Sequence, residues 1–456
     1  MKFVADACDA EIQRGSGEML VKNVCTDSRQ AKPDDLFFAI RGDRFDGHDF
    51  LDEVAAKRVA AVVVEKKKIP VPLPDCAMLV VGDARIALGK LAAVYRKDFT
   101  LPVVVVGGSN GKTTVKELLA SVLRQKFSTL WSEASFNNDI GVPLTLLRLK
   151  KSHQAAVLEA GTNHPGELAP LMKMIQPEFG VITNIGREHL EFFGDVAGVA
   201  QEEGRLAELL PADGKLFVNG DNEWTEKIVQ RTRAKVIRVG LGKKNDWHAD
   251  KIRLDKNGVT FRVGAPQAEF SGEYRVNLLG RHQATNALFA IAAGKELGLA
   301  RDEIRDGLVG CQPPKMRLQF WEANGVRVLD DAYNANTDST IAALETLCDL
   351  PLQGRRVAVL GDMEELGAHS GAAHAEVGRR VAELKIGQLF TIGKMSAVTA
   401  GAARDAGLTR VIEFENVEVA MKAIKNFLKT GDVVLLKASR ASRLERIVEA
   451  LRSEKS

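Results

Sequence analysis

Four consecutive valines at 103–106 run into Gly107-Gly108-Ser109-Asn110-Gly111-Lys112-Thr113-Thr114, after which Val115, Leu118, Leu119, Val122 and Leu123 recur at helical spacing. An unbroken β-branched run is the pattern of a strand buried on both faces, the usual interior of a parallel sheet. A glycine-rich turn from such a strand into a helix aims backbone N–H groups and the positive end of the helix dipole at one spot, where phosphate oxygens can sit. Lys112 is then placed to meet the β- and γ-phosphates of a nucleotide. Thr113 offers a hydroxyl to a magnesium ion, which prefers oxygen ligands. The spacing departs from the general Gly-x-x-x-x-Gly-Lys rule, because Val106 occupies the first glycine position.

The alternation of strand-like runs and helical spacing continues on both sides. Runs at 36–40, 60–64 and 78–81 precede a helical stretch over 84–96, and the proline-rich 69–74 is a loop among them. Runs at 155–158, 179–183, 215–218 and 235–239 follow the glycine-rich turn with helices between several of them, which implies a mostly parallel sheet. Near Asp250 the pattern turns antiparallel. Ile252 and Leu254 alternate with polar residues before Lys256-Asn257-Gly258, and Phe261 and Val263 alternate after it, as in a β-hairpin. A helix around 284–297 follows, and Gln312-Pro313-Pro314 reads as a hinge, because a residue before proline is pushed out of the helical region. Runs at 326–329, 356–360, 388–392, 410–414 and 432–436 then alternate with helices as in a second doubly wound sheet. The 456 residues are about three times the ~150-residue prior for one domain. The expected domains are 1–98, 99–312 and 313–456.

Composition closes off other classes. Hydrophobic residues at 45% and charged residues at 27% are ordinary globular values, and 63 basic against 60 acidic residues leave a net charge of only +3. That argues against a nucleic-acid partner or a membrane coat. Asp6, Asp9 and Glu11 interrupt the stretch where a signal peptide would be apolar, and no window approaches the ~18 apolar residues of a membrane span. Cys8, Cys25, Cys76, Cys311 and Cys348 form no Cys-x-x-Cys pair, and an odd number cannot close fully into disulfides. A reducing cytoplasm is expected, with the thiols as small buried side chains.

Around the glycine-rich turn the chain resembles the Mur ligases, ATP-dependent amide-forming enzymes of cell-wall synthesis with a shorter Gly-x-Asn-Gly-Lys-Thr loop. Phe136-Asn137-Asn138-Asp139-Ile140-Gly141-Val142-Pro143-Leu144-Thr145, Leu158-Glu159-Ala160-Gly161 and Asn184-Ile185-Gly186-Arg187-Glu188-His189-Leu190-Glu191 look like successive blocks of the family's central domain. Gly280-Arg281-His282-Gln283-Ala284-Thr285-Asn286 resembles its adenine-facing block, with Gln283 in place of the usual asparagine. In the C-terminal third, Asp330-Asp331-Ala332-Tyr333-Asn334-Ala335-Asn336 and Gly361-Asp362-Met363-Glu364-Glu365-Leu366-Gly367 each follow a strand, where open α/β sheets collect ligands. Thr337 stands where the family has proline, and Ala438 replaces a glycine in Lys437-Ala438-Ser439-Arg440. Near the start, Thr26-Asp27-Ser28-Arg29 and Gly42-Asp43-Arg44-Phe45-Asp46-Gly47-His48 resemble the segment that receives a uridine nucleotide.

The resemblance implies three α/β domains: a small N-terminal uridine-nucleotide domain, a central phosphate-loop domain and a Rossmann-like C-terminal domain. It implies that Gly108, Ser109, Asn110, Gly111, Lys112, Thr113, Thr114, His282, Asn286, Arg317 and Asp331 bind ATP. Ser28, Arg29, Phe45, Asp46, Gly47, His48, Asn137, Asn138, Tyr333, Asn334 and Asn336 would bind substrate. Lys112, Glu159, His189 and Arg317 would be catalytic. Thr113, Glu159 and His189 would hold Mg2+. Many members also carry a lysine after the His189 block whose carbamate touches magnesium. Counting forward puts Glu203 there, with Gln201 and Glu202 in adjacent registers.

The block at 361–367, with Ser370, His374 and Gly378, points within the family to an enzyme that takes UDP-N-acetylmuramoyl-tripeptide and D-alanyl-D-alanine. It would act as a monomer whose C-terminal domain closes over the nucleotide. The rivals are the related ligase that adds the third residue of the peptide; folylpolyglutamate synthase, against which the N-terminal uridine-type domain argues; and a regulatory module that binds ATP without making amides. The first lacks support because no Asp-Asn-Pro-Arg motif is present, and the polar blocks in all three domains weigh against the last.

Overall fold

The computed structural model describes residues 1–42 and 44–452, so Asp43 of the 42–48 segment lies outside the described residues. They form three α/β sheets, mostly parallel. Packing divides them into two compact units. One comprises Met1–Val105, Phe127–Thr162 and Glu167–Phe179, and the other Val106–Lys126, Asn163–Gly166 and everything from Gly180 on.

In the first unit, β1 (Glu11–Arg14), β2 (Val24–Cys25), β3 (Leu36–Phe38), β4 (Ala61–Glu65) and β5 (Ala77–Val81) make a sheet of order β1-β5-β4-β3-β2. Only β1 is antiparallel to its neighbour. Strand residues alternate between two cores: Leu36, Phe38, Ala61, Val63 and Leu79 join Leu88 and Leu91 on one face, and Phe37, Val62, Val64, Met78 and Val80 join Leu51 and Val54 on the other. The helix Ala84–Arg96 has the bounds its spacing predicts, and Asp83 caps it by accepting from Ile86 N–H at 2.8 Å. The same unit holds β7 (Thr129–Trp131) and β8 (Ala155–Glu159), parallel, with β8 beside the first residues of β6 (Val103–Gly107).

The second unit receives the end of β6. It continues through β9 (Phe179–Ile182), β10 (Lys215–Asn219), β11 (Lys235–Gly240), β12 (Trp247–Asp255), β13 (Gly258–Gly264) and β14 (Gly272–Val276) in the order β14-β13-β12-β11-β10-β9-β6. All four valines of β6 are fully buried, as a central parallel strand requires. The expected hairpin is β12–β13, and β14 extends it antiparallel. A further sheet has the order β15-β16-β20-β17-β18-β19, from β15 (Gln319–Ala323), β16 (Val326–Asp331), β17 (Arg356–Gly361), β18 (Gln388–Ile392), β19 (Val411–Phe414) and β20 (Val433–Lys437). Here five parallel strands follow the sequence pattern, and the sixth, β15, is an antiparallel edge paired with β16. Val328, Val357, Val359, Val434 and Leu436 make the core of that sheet with Ala420, Ile424 and Ile447.

Candidate active site

Strand β6 ends at Gly107, and a four-residue turn leads into the helix Lys112–Leu123. Gly108 (φ 105°) and Gly111 (φ 85°) take left-handed angles. A Cβ on Gly108 would lie 2.8 Å from Asn184 O and 2.8 Å from Thr183 N, backbone atoms that cannot yield, so glycine is required there. The segment after β9 clasps the turn. Ser109 N–H donates to Asn184 O (2.9 Å), Asn110 N–H to Asn184 Oδ1 (2.8 Å) and Gly186 N–H to Ser109 Oγ (2.8 Å).

Lys112 folds over this loop. Its Nζ donates to Gly108 O (2.5 Å), Ser109 O (3.2 Å) and Glu188 Oε2 (3.1 Å), and its side chain keeps 13% exposure. Thr113 and Thr114 are buried at the start of the helix. Glu203, of the three acid-register candidates, is the one that faces the loop: it is 1% exposed, and its Oε2 accepts from Gly108 N–H at 2.6 Å. Its burial excludes a solvated surface acid at this position. Burial pushes the Glu203 carboxyl up to about 7, with Glu188 adding to the shift and Lys112 opposing it. The helix carrying it, Val196–Glu208, has Arg231 seated beside Gly204, donating to Ala200 O (3.1 Å) and Gln201 O (2.9 Å).

His189 takes a left-handed angle (φ 48°) just before the short helix Leu190–Phe193, and its Nδ1 is bonded to the Glu365 carboxylate. A carboxylate only accepts, so Nδ1 carries the proton of that bond, the carboxylate–histidine pairing usual where a histidine's other ring nitrogen binds a metal. The bond from His189 holds the Glu365 carboxyl below its ordinary range.

The other predicted residues of this unit fall into two groups. In the first, Gln283 ties the adenine block together: its amide N–H groups lie on Leu279 O (3.2 Å) and His282 Nε2 (3.1 Å), and its Oε1 accepts from Asn286 (2.8 Å). Asn286 Oδ1 packs against Gly111, and burial lowers the His282 pKa, keeping the ring neutral. In the second, the Arg317 guanidinium lies 4.4 Å over the Tyr333 ring. Asp331 accepts from the buried Lys437 ammonium (2.5 Å), which also donates to Asn334 O (3.0 Å). Asn336 caps the helix Thr337–Asp349, so the family's missing proline leaves a normal helix start. Its Nδ2 donates to Asn110 Oδ1 at 2.9 Å, so the phosphate loop and the 330–336 block, which were expected to need closure to meet, are already joined by the chain's own side chains.

Within the first unit, Ser28 opens a short 3-10 turn and Arg29, 84% exposed in its side chain, pairs with Asp27. Phe45 is 72% exposed. The Asp46–His48 turn is internally satisfied: His48 Nδ1 lies 2.6 Å from Asp46 Oδ1, and His48 Nε2 accepts from Glu65 N–H (3.0 Å). Burial disfavours the Asp46 anion, but the bonds from His48 and Lys68 outweigh it and hold the carboxyl at about 2. Gly47 allows the backbone at Ile40 and Ala39 to approach. Asn138 Oδ1 caps Ile140 N–H (3.2 Å) and Gly141 N–H (2.9 Å), whereas Asn137 Nδ2 donates to Glu159 Oε1 at 2.9 Å. Both ring nitrogens of His48 and the oxygen of Asn138 are thus committed to the protein.

Two buried carboxylate oxygens, Glu159 Oε2 and Glu203 Oε1, have no hydrogen-bond partner. Such orphaned carboxyl oxygens, each within its own unit, suit a hard divalent cation. Among the described residues no group of three or more His, Cys, Asp or Glu side chains is gathered closely enough to hold a metal ion by itself. The sequence reading assigned no role to Arg187, Glu188, Asp338 or Glu376. Arg187 bonds Asp338 Oδ1 (2.6 Å) and Glu376 Oε2 (2.6 Å), next to the Glu188–Lys112 pair. For Arg187 and Glu188 the signal was present as a charged doublet in a block that follows a buried strand, and Asp338 and Glu376 lie on the helices Thr337–Asp349 and Ser370–Glu383.

A phosphate loop at the carboxyl end of a parallel strand, clasped by polar blocks from two α/β sheets, defines an enzyme that handles nucleotide phosphates. Family models match almost the whole chain: Mur ligase family, catalytic domain, over 20–102; Mur ligase middle domain over 106–294; and Mur ligase, glutamate ligase domain, over 316–440. The UDP-N-acetylmuramoyl-tripeptide–D-alanyl-D-alanine ligase of Escherichia coli K12 is 36% identical, covering 98% of this chain and 97% of its own. The crystal structure of MurF from Acinetobacter baumannii superposes with a TM-score of 0.90 at 32% identity, covering 99% of this chain and 98% of that one. MurF from Thermotoga maritima in complex with ADP gives 0.80 at 27%, covering 96% and 98%. The chain belongs to the Mur ligase family.

Proposed function

We propose that this chain joins D-alanyl-D-alanine to UDP-N-acetylmuramoyl-tripeptide at the expense of ATP, giving the pentapeptide precursor of peptidoglycan. The reading is carried by the phosphate loop, with Lys112 folded over it, in a chain 36% identical over nearly its full length to a ligase named for that reaction. A carboxylate is a poor acyl donor because its leaving oxygen is bad. Transfer of the γ-phosphoryl group onto it makes an acyl phosphate, whose phosphate the dipeptide amine then displaces to leave an amide, ADP and inorganic phosphate.

The protein's share is positioning and charge neutralisation. Lys112 and the loop N–H groups offset charge on the transferring phosphoryl group, and Arg317 adds a second cation. His282 and Asn286 face the adenine, and Asp331 completes the ATP site with Gly108, Ser109, Asn110, Gly111, Thr113 and Thr114. Ser28, Arg29, Phe45, Asp46, Gly47 and Asn137, with Tyr333, Asn334 and Asn336, hold the substrates. His48 and Asn138 support them through the turn and helix they stabilise. Thr113, Glu159, His189 and Glu203 would hold magnesium, which when bound draws off negative charge from the phosphates. Residues 1–98 take the uridine-nucleotide end, 99–312 the ATP and 313–456 the dipeptide, and the enzyme works as a cytoplasmic monomer.

Phosphate release from ATP should depend on both peptide substrates. Lys112→Ala should lower kcat by about three powers of ten, as for other lost charge-stabilising groups. Near-normal turnover of that variant, or release without the dipeptide, would sink the reading. In the same assay Glu203→Ala should raise the magnesium requirement, and bicarbonate depletion should leave the wild type unaffected, since Glu203 offers a carboxyl oxygen without any carbamate being formed. Strong bicarbonate dependence would remove Glu203 from the metal set while leaving the ligase assignment standing.

A further inference from the structure

Glu188 stands at the phosphate loop, and the reaction derived above gives it no part. Its side chain is only 8% exposed, with Oε2 at 3.1 Å from Lys112 Nζ and 3.8 Å from His189 Nε2. Glu203 approaches the same loop through Gly108 N–H. Two buried carboxyl groups therefore meet the loop, and Glu188 holds the lysine that a nucleotide's phosphates require. An incoming phosphate must compete with Glu188 for the Lys112 ammonium, and it does so away from bulk water, where like charges repel with little screening. A phosphate accompanied by a divalent cation brings its own neutralising charge and needs no such displacement. The neighbours of Glu188 keep it in place: Arg187 is held by Asp338 and Glu376 and His189 by Glu365, so the backbone on either side of it is tied down.

We propose that Glu188 couples nucleotide binding to the divalent cation: it draws Lys112 onto Gly108 O and Ser109 O and excludes nucleotide phosphates that arrive without a cation. Glu188 is in this sense a positioning residue for Lys112, and the ligand admitted is the cation–nucleotide complex rather than the free nucleotide. The proposal rests on the reading that ATP binds at this loop.

The test is equilibrium binding of an imido-bridged ATP analogue to the full chain, once in EDTA and once with magnesium. Glu188→Gln should tighten binding in EDTA by about tenfold, the size of one partly screened charge interaction, while binding in magnesium changes by less than about twofold. Glu188→Ala should narrow the ratio in the same way, which keeps the test open if a buried amide disturbs folding. Glu188→Asp, which keeps the charge, should retain the wild-type ratio. A Gln and an Ala variant whose magnesium-to-EDTA ratio equals that of the wild type, whether both affinities move together or neither moves, would overturn the coupling. Failure of the wild type to bind the analogue under either condition would instead strike the ATP reading and the proposal with it.

Discussion

Two adjacent aspartates at the end of β16 show how far environment separates identical side chains. Asp331 meets the Lys437 ammonium, whereas Asp330 is 1% exposed, accepts only a 3.3 Å bond from Ala332 N–H, and is pushed by burial up to about 6. The folded protein thus binds a proton on Asp330 that the unfolded chain, with an ordinary carboxyl, gives up earlier. Its contribution to stability is full below about pH 4, falls as pH rises towards about 6 and is then flat, amounting at most to roughly 3 kcal/mol. Asp330→Asn, which can still accept from Ala332, escapes that penalty. The melting temperature of the variant relative to wild type should rise by several degrees between pH 4 and pH 7. A difference independent of pH would show that burial does not raise the Asp330 pKa in the native protein.

At the scale of one element, the helix Val196–Glu208 presents Glu203 to the loop, and its two glycines test what sets its position. A Cβ on Gly204 would meet Arg231 Nη1 at 1.9 Å, the far end of a flexible side chain, whereas one on Gly198 would meet Phe193 O at 2.1 Å, which is backbone. Alanine is favoured over glycine inside a helix by about 1 kcal/mol. In Gly204→Ala that gain should roughly offset the bonds Arg231 gives up, leaving stability within about 1 kcal/mol of wild type. In Gly198→Ala the helix start itself must shift, so the variant should be less stable by about 2 kcal/mol and should need more magnesium for activity, because Glu203 moves with the helix. Thermal melts together with magnesium titrations separate the two, and equal behaviour of both variants would refute this account.

Across the molecule, the phosphate-loop segment and the C-terminal sheet are linked inside the second unit by Arg187, which bonds Asp338 and Glu376 from two helices, Thr337–Asp349 and Ser370–Glu383. Glu191 N–H on Glu365 O (3.0 Å) and His369 Nε2 on Gly194 O (2.8 Å) add to it. The guanidinium is two-thirds shielded from solvent and bonded to two carboxylates, and its pKa is raised well above the usual value by those bonds. Arg187→Ala should leave each sheet folded but speed amide hydrogen exchange in the two helices by about tenfold, the equivalent of ~1.4 kcal/mol of lost linkage. High salt should move the wild type in the same direction. Unchanged exchange in both helices would mean that the linkage rests on other contacts.

What the sequence determined by itself is what short-range periodicity encodes. The β-branched run of β6, the period of the helix Ala84–Arg96 and the glycines of the loop are local patterns whose burial and backbone angles follow from the residues alone. Elements with weak local patterning escaped it: β1, with one apolar residue among Glu11-Ile12-Gln13-Arg14, and β15, an edge whose only sheet partner is β16. Only the tertiary structure decided which of three consecutive polar residues turns to the loop, since Gln201, Glu202 and Glu203 are equivalent until the helix docks. It also decided that both ring nitrogens of His48 and the Oδ1 of Asn138 are bonded within the protein. The partners of Arg187 lie 151 and 189 positions away, and Lys112 meets Glu188 across 76. Pairings at such separations follow from how sheets pack, and no local rule of propensity or spacing contains that information.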